Sequence, residues 1–288
     1  MSQFWSHTIW YILLGLAAVT QVAYTLHRSE NRLRTLGFYL TIAGLPLYFE
    51  TFVLIFLDAY EYYPKIIRNP ELDPFNDVLS GNLFSQFGVA SSALLLAVRR
   101  KPLYWNAIVA GIYSLVEILF LRLGIYRHHW WRTWMTFIGL LAFFAIAKWM
   151  YARLMRGVRP FYLYVYTILG LFPLCNIVLM WGVLDLFGYM RFATTLLPDH
   201  PRLSRYGLYL TFSTVSYILV VWGYTRIHWI WRIAALAAVG LLIYLGYRSH
   251  LMIFREGYGL PIGFLIIGWT YGAVWALDTL YGKRLTNR

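Results

Sequence analysis

Long apolar runs recur along the chain, separated by short connections that gather Arg, Pro, Asp and Glu. A run of roughly 18–25 apolar residues is the length that crosses a ~30 Å hydrocarbon core as an α-helix. Nine such spans are predicted, at about 4–26, 36–58, 79–98, 103–124, 133–152, 161–187, 207–225, 229–247 and 260–281. The third, interrupted by Asn82 and Gln86, and the closely spaced seventh and eighth carry the weakest apolar signal. Basic residues mark alternate connections: Arg28, Arg32 and Arg34, then Arg99, Arg100 and Lys101, then Arg153, Arg156 and Arg159, then Arg226 and Arg232, then Lys283, Arg284 and Arg288. The connection at 59–78 instead holds Glu61, Glu71, Asp73 and Asp77. An excess of Lys and Arg on the cytoplasmic side predicts an outside N-terminus and a cytoplasmic C-terminus. Arg122, Arg127 and Arg132 fall on the outer side and weaken that bias.

Composition agrees with the pattern. Of 288 residues, 60% are hydrophobic, 19% aromatic and 13% charged, against about 25% charged in soluble domains. A soluble fold of this size has no means of burying so much apolar surface. The net charge of +13 raises the question of nucleic acid. The basic residues lie in short loops between apolar runs, however, where they set topology and meet anionic phospholipid headgroups. The lipid bilayer is therefore the expected partner, and nucleic acid is not. Cys175 is alone within an apolar run, so there is no disulfide framework or zinc motif, and no metal or cofactor is expected. The start "MSQFWSH" lacks the basic residues of a secretory signal, and the first run is read as a retained helix.

Two stretches resemble each other within the chain. "GLPLYFETFVLIFLDAY" (44–60) aligns with "GLFPLCNIVLMWGVLDLF" (170–187), matching Pro46-Leu47 to Pro173-Leu174 and Leu57-Asp58 to Leu184-Asp185 at one offset. "LGIYRHHW" (123–130) aligns with "LGYRSHLM" (245–252) with one gap, setting Tyr126, Arg127 and His129 against Tyr247, Arg248 and His250. The predicted fold is thus an all-α integral membrane protein of about nine transmembrane helices. Helix 1 with a basic loop (1–35) precedes two four-helix repeats, 36–160 (helices 2–5) and 161–288 (helices 6–9). A unit with an even number of spans repeats in the same orientation, so the two copies are expected to be parallel.

"YRHHWWRTW" (126–134) is dense in polar and aromatic residues. A Tyr-Arg-x-His element in each half argues against a unique catalytic loop. The tryptophans suit an aromatic belt at headgroup depth. Two structural ion pairs are expected, Arg127 with Asp58 and Arg248 with Asp185. Adjacent histidines on a helix end point about 100° apart and share one metal ion poorly. Within the spans, Glu50 and Glu117 stand out, because a charge at membrane depth is expensive and marks function. Each lies about eight residues before the predicted outer end of its helix. Asn82, Gln86, Ser91 and Ser92 are available at a nearby depth, and Arg122 follows Glu117 by five residues. The second half carries Ile177 and approximately Val239 in the corresponding places. Glu50, Glu117, Gln86, Asn82 and Arg122 are the candidate substrate- or proton-binding residues, with burial or mutual proximity expected to hold one acid protonated near neutral pH, and acids that are protonated or paired with Arg122 merely as internal glue are the bland alternative. Lys148 and Asp278 sit near helix ends, where side chains snorkel. The glycines of helix 9 and the small residues "AALAAVG" of helix 8 suit close packing in lipid, and Pro46, Pro173 and Pro261 suit kinks.

"NDVLSGNLFSQFGVASSALLLAV" and "LGIYRHHWWRTWMTFIGLL" resemble an uncharacterised multi-pass membrane family of spore-forming Gram-positive bacteria, over about 79–141. Shorter members of that family are about half this length, which suits a duplication. The resemblance implies a bacterial cytoplasmic membrane and no activity. "GLPLYFE" is similar to the proline–glutamate elements of membrane-embedded isoprenoid cyclases, without their second acidic residue. Three functions stay open. The chain binds or transports a small or amphiphilic molecule; or it is an intramembrane enzyme acting on a lipid or isoprenoid with one carboxylic acid as proton donor; or it is a structural or signalling subunit. Whether it is an enzyme, which substrate it takes and its oligomeric state are not written in these motifs.

Overall fold

The computed structural model describes residues 4–67, 75–282 and 285. Glu71, Asp73, Lys283, Arg284 and Arg288 lie outside the described residues. Among those described, nine helices are long and apolar enough to cross a membrane. They are α1 (Phe4–His27), α2 (Arg32–Phe56), α3 (Phe75–Val98), α4 (Tyr104–Arg122), α5 (Thr133–Arg156), α6 (Pro160–Asp185), α7 (Pro201–Tyr224), α8 (Trp229–Arg248) and α9 (Gly259–Leu280). The fold is all-α and polytopic. Its surface agrees: Ile108, Ile112, Leu115 and Leu119 of α4 are all exposed. Their spacing of three and four residues makes them one stripe, and such a stripe is at home against lipid rather than water.

The chain forms two compact units, Met1–Val158 and Arg159–Arg288. In the first, α3 packs on α1, α2 and α5, while α4 packs chiefly on α5. The buried residues of α3 are mostly small or polar, among them Ser80, Gly81, Gly88, Ala90, Ser91 and Ala93, which lets several backbones approach it. The connections after α2 and α4, read from sequence as loops, contain short strands. β1 (Tyr60–Tyr62) pairs antiparallel with β2 (Tyr126–His128), with Tyr60 opposite His128, Glu61 opposite Arg127 and Tyr62 opposite Tyr126. Side chains alternate along a strand. Tyr60, Tyr62, Tyr126 and His128 therefore share one face, and Glu61 and Arg127 share the other. The three tyrosines of the first face are buried. The ribbon also fixes the C-terminal ends of α2 and α4 on one side of the unit. It meets α3 at close range, since a β-carbon on Gly81 would lie 2.7 Å from Tyr62 Cβ.

The second unit has the order helix, strand, helix, helix, strand, helix, as the first has from α2 to α5. α7 packs on α6, α8 and α9. β3 (Met190–Phe192) pairs antiparallel with β4 (Met252–Phe254). A β-carbon on Gly223 would overlap Ala235 Cβ, so the small-sided stretch of α8 does meet α7 closely. The glycine row of α9 behaves otherwise: a β-carbon on Gly268 or Gly272 would meet nothing within 4 Å. Asp278, expected to snorkel, is 1% exposed. It accepts from the Tyr224 hydroxyl at 3.2 Å and the Leu285 amide at 2.8 Å. Lys148 also has built partners, donating to the Lys101 carbonyl at 2.8 Å and to Asn106.

Two of the three prolines expected to kink their helices, Pro46 and Pro173, lie at altered helical winding. The last turns of α2, Thr51–Phe56, and the Phe172–Asp185 part of α6 wind as π-helix. Pro46 lies five residues before the first of these, and Pro173 is the second residue of the other. Proline withdraws one N–H from the i→i−4 ladder, and a wider register is a common local response at functional positions. Glu50 is the residue just before the first π segment. Pro261 lies in the first turn of α9, where no helical bond is lost and no kink is needed.

Candidate functional site

The first unit encloses a partly open cavity of about 370 Å³. All five of its helices and the β1–β2 ribbon supply walls: Leu14 from α1, Pro46, Phe49 and Glu50 from α2, Gln86 and Val89 from α3, Tyr113, Glu117 and Phe120 from α4, Thr136 and Phe143 from α5. The ribbon and the turn after it add Tyr60, Tyr62, Tyr126 and Trp131. Glu50 and Glu117 thus line one cavity.

Glu50 is 7% exposed and each of its oxygens has a donor. The Tyr60 hydroxyl donates to Oε2, and Gln86 Nε2 donates to Oε1 at 2.8 Å. Gln86 also donates to Asn82 Oδ1 at 3.2 Å, one turn away on α3. Asn82 therefore orients Gln86 and is not part of the cavity wall. Glu117 bonds to His128 Nε2 at 2.7 Å through Oε1. Arg122 is exposed and outside the lining, which corrects its expected role as partner of the acids. Five residues on from Glu117 it points off the cavity side of α4. Instead the turn at Gly124, with φ of +68°, leads into β2, and pairing with β1 brings His128 to Glu117.

Burial pushes the hydroxyls of Tyr60, Tyr62 and Tyr126 well above the usual tyrosine range, and the charge of Glu50 adds to this. They stay protonated at neutral pH, and the Tyr60 hydroxyl is the one that donates to Glu50. The rings form an interlocked wall. Tyr60 and Trp131 lie 5.7 Å apart at 75°, Tyr60 and Tyr62 5.7 Å at 80°, and Tyr62 and Tyr126 4.8 Å at 37°. Tyr11 supports the ribbon from α1, donating to the Ile125 carbonyl at 2.5 Å.

The expected ion pairs have other partners. Arg127 faces Glu61 across the ribbon, and the Tyr63 hydroxyl, 2.5 Å from Glu61, joins them. Asp58 lies by His129, whose Nδ1 is 2.8 Å from its carbonyl oxygen and 3.2 Å from its carboxylate. Trp130 Nε1 donates to the Leu57 carbonyl at 2.7 Å, so "YRHHWWRTW" is a strand and the latch that closes it over the end of α2. In the second unit, Asp185 is 1% exposed and takes Arg205 and, at 2.8 Å, the Tyr209 hydroxyl from α7. Arg248 is exposed in the last turn of α8. The apparent match of Tyr126-Arg127 to Tyr247-Arg248 sets a strand against a helix end. By element order the partner of β2 is β4, five residues further on, and the expected Arg248–Asp185 pair fails for that reason.

The residues that sequence reading did not assign to the site are Tyr60, Tyr62, Tyr126, His128, Tyr113 and Trp131, although Tyr126, His128 and Trp131 lie in the stretch it singled out. The first four had a signal: Tyr-x-Tyr and Tyr-x-His at period two, each just after an acid-bearing helix. Among the described residues, no three of His, Cys, Asp and Glu gather into a metal-ligand set. Comparison of the chain with protein-family models, curated proteins and solved structures finds no match.

Proposed function

We propose that the protein binds, and carries across or within a bacterial cytoplasmic membrane, a small amphiphilic molecule held in the cavity of the first unit. The observation that supports this most is the convergence of Glu50 and Glu117, from two helices, on one mostly apolar and aromatic cavity. Such a space suits a molecule with an apolar body and one polar end. The basic connections between α1 and α2, α3 and α4, α5 and α6, and α7 and α8 support an outside N-terminus, which sets the β1–β2 ribbon at the outer face. The shared element order of the two units supports an origin by duplication. The resemblance over about 79–141 fits a membrane protein of spore-forming Gram-positive bacteria.

One observation favours a second reading. Glu117 and His128 at 2.7 Å form an acid–base pair such as an intramembrane enzyme acting on a lipid would use. One experiment addresses both. Protein purified in nanodiscs is extracted and its small molecules are profiled by mass spectrometry, beside Val89→Phe, which extends a buried cavity-wall residue into the space. The expected result is an amphiphile that co-purifies with the wild type and is lost from a folded Val89→Phe protein. Chemical conversion of that amphiphile on incubation would favour the enzyme. Equal, background-level profiles from both proteins would remove the binding proposal.

A further inference from the structure

We infer that the polar end this cavity receives is a cation, specifically an organic ammonium carried on a short apolar tail. The inference rests on the amphiphile-binding reading and adds the chemistry of the head. Two carboxylates line the cavity, and no Lys or Arg is among its lining residues. An anionic head would meet two acids and no Lys or Arg, and His128 is already bonded to Glu117. A neutral head would not need two acids held at membrane depth, where each is costly.

The walls point the same way. Tyr60, Tyr62, Tyr126 and Trp131 line the space, and the Tyr60 ring stands at 75° to Trp131 and 80° to Tyr62. Four aromatic rings thus wall the space around Glu50 and Glu117, and aromatic walls of this kind are how proteins hold alkylammonium groups. A bare metal ion wants several oxygen ligands at short range. This roomy, ring-walled cavity does not offer that set.

The two acids are held differently. Each oxygen of Glu50 already accepts from a neutral donor, Tyr60 or Gln86, so the carboxyl is held in place by groups that bring no positive charge of their own. Glu117 bonds to His128 through Oε1, and its side chain is 9% exposed, so among the described residues Oε2 remains for a ligand. The ammonium would sit between them, against the aromatic walls.

The test is calorimetry on the full chain in nanodiscs, with empty nanodiscs subtracted, using hexyltrimethylammonium, hexanol and hexanoate. The three share a tail and differ in head charge. Hexyltrimethylammonium is expected to saturate a single site, with hexanol and hexanoate weaker by at least about tenfold, the size of one desolvated cation–aromatic contact. Glu117→Gln and Glu50→Gln should each weaken the ammonium by a similar factor, and Val89→Phe should abolish its binding. If Glu50→Gln does not fold, the comparison of heads on the wild type and Glu117→Gln still decide. Hexanol or hexanoate binding as well as the ammonium, with loss in Val89→Phe, would overturn the cation assignment and leave the amphiphile reading standing. Ammonium binding unchanged by Val89→Phe would place it outside the cavity and overturn the inference. Saturable binding of none of the three would overturn both.

Discussion

Removing the two donors to Glu50 separately and together tests whether this carboxylate is held by the protein or by water in the cavity. Glu50 is 7% exposed, with Tyr60 on one oxygen and Gln86, at 2.8 Å, on the other. A hydrogen bond to a charged group contributes about 1.5–3 kcal/mol. Tyr60→Phe and Gln86→Leu keep much of the shape and each removes one bond, so each should cost about that much in unfolding free energy. The double variant should cost less than the sum. A carboxylate that has lost both donors can take up a proton, and protonation sets a ceiling on the penalty. Adding Glu50→Leu to the double variant should then recover stability, because a paired or hydrogen-bonded buried charge can be replaced by apolar volume at little cost, whereas a stranded one cannot persist cheaply. The assay is reversible unfolding in bicelles, read as a double-mutant cycle. Single-variant losses below about 0.5 kcal/mol, the range of ordinary surface changes, would refute the reasoning, since water would then be supplying the bonds. So would a triple variant less stable than the double.

In the second unit, breaking the buried Asp185–Arg205 pair by Arg205→Leu should cost about 3–5 kcal/mol, while the exposed Arg248→Ala should stay within about 0.5 kcal/mol. Equal losses by thermal unfolding would return Arg248 to the role that sequence symmetry gave it. Alkaline pH should destabilise the first unit. Tyr60, Tyr62 and Tyr126 ionise above their usual range in the folded chain, whereas in the unfolded chain tyrosine ionises near pH ~10. Their contribution is complete below about pH 10 and falls as pH rises further, because the unfolded state gives up its protons first. The melting temperature should therefore drop above about pH 10, with a shallower slope in Tyr60→Phe/Tyr126→Phe. Tyrosinate absorbance from these residues appearing before unfolding would contradict the placement.

How much was legible follows from what repeats in sequence. Span length and charge are summed over twenty or so residues, so nine helices could be read despite Asn82 and Gln86. That Glu50 and Glu117 belong to one unit and face one cavity was within reach of sequence, because acids are rare enough in apolar spans to be picked out and counted from the helix ends. The ribbon was hidden because three-residue strands carry too few positions for a period-two pattern to rise above the surrounding aromatic residues. Partners were hidden for another reason: Arg122, near in sequence to Glu117, lost to His128, brought in by strand pairing, and Arg248 lost to Arg205, set by α7. Charge alone says that an acid needs a donor. Backbone turns such as Gly124, at φ +68°, decide which one arrives.

The second unit bears on whether the polar groups of the first belong to the fold or to a ligand. Its ribbon presents Met190, Phe192, Met252 and Phe254 where the first presents Tyr60, Tyr62, Tyr126 and His128. Met190, Phe192 and Met252 are buried, so the same order of helices and strands closes without a hydroxyl or imidazole on that face. Near the place of Glu50, α6 carries Asn176, which accepts from the Tyr217 hydroxyl at 3.1 Å and from Ser213. That network is neutral. The second unit's buried acids, Asp185 and Asp278, lie at or near the ends of their helices, the first held by Arg205 and the second by Tyr224, so thioethers, phenyl rings and an amide stand where the first unit has its ribbon tyrosines and Glu50. An acid at membrane depth costs roughly 2.5–3.5 kcal/mol on insertion scales, and the two bonds to Glu50 offset part of that without explaining why it is present. The remainder is a standing cost in the unliganded protein, which a bound cation would repay. The tyrosines, Glu50, Glu117 and His128 thus line or flank a cavity of the first unit, within an order of helices and strands that the second unit shares with other side chains.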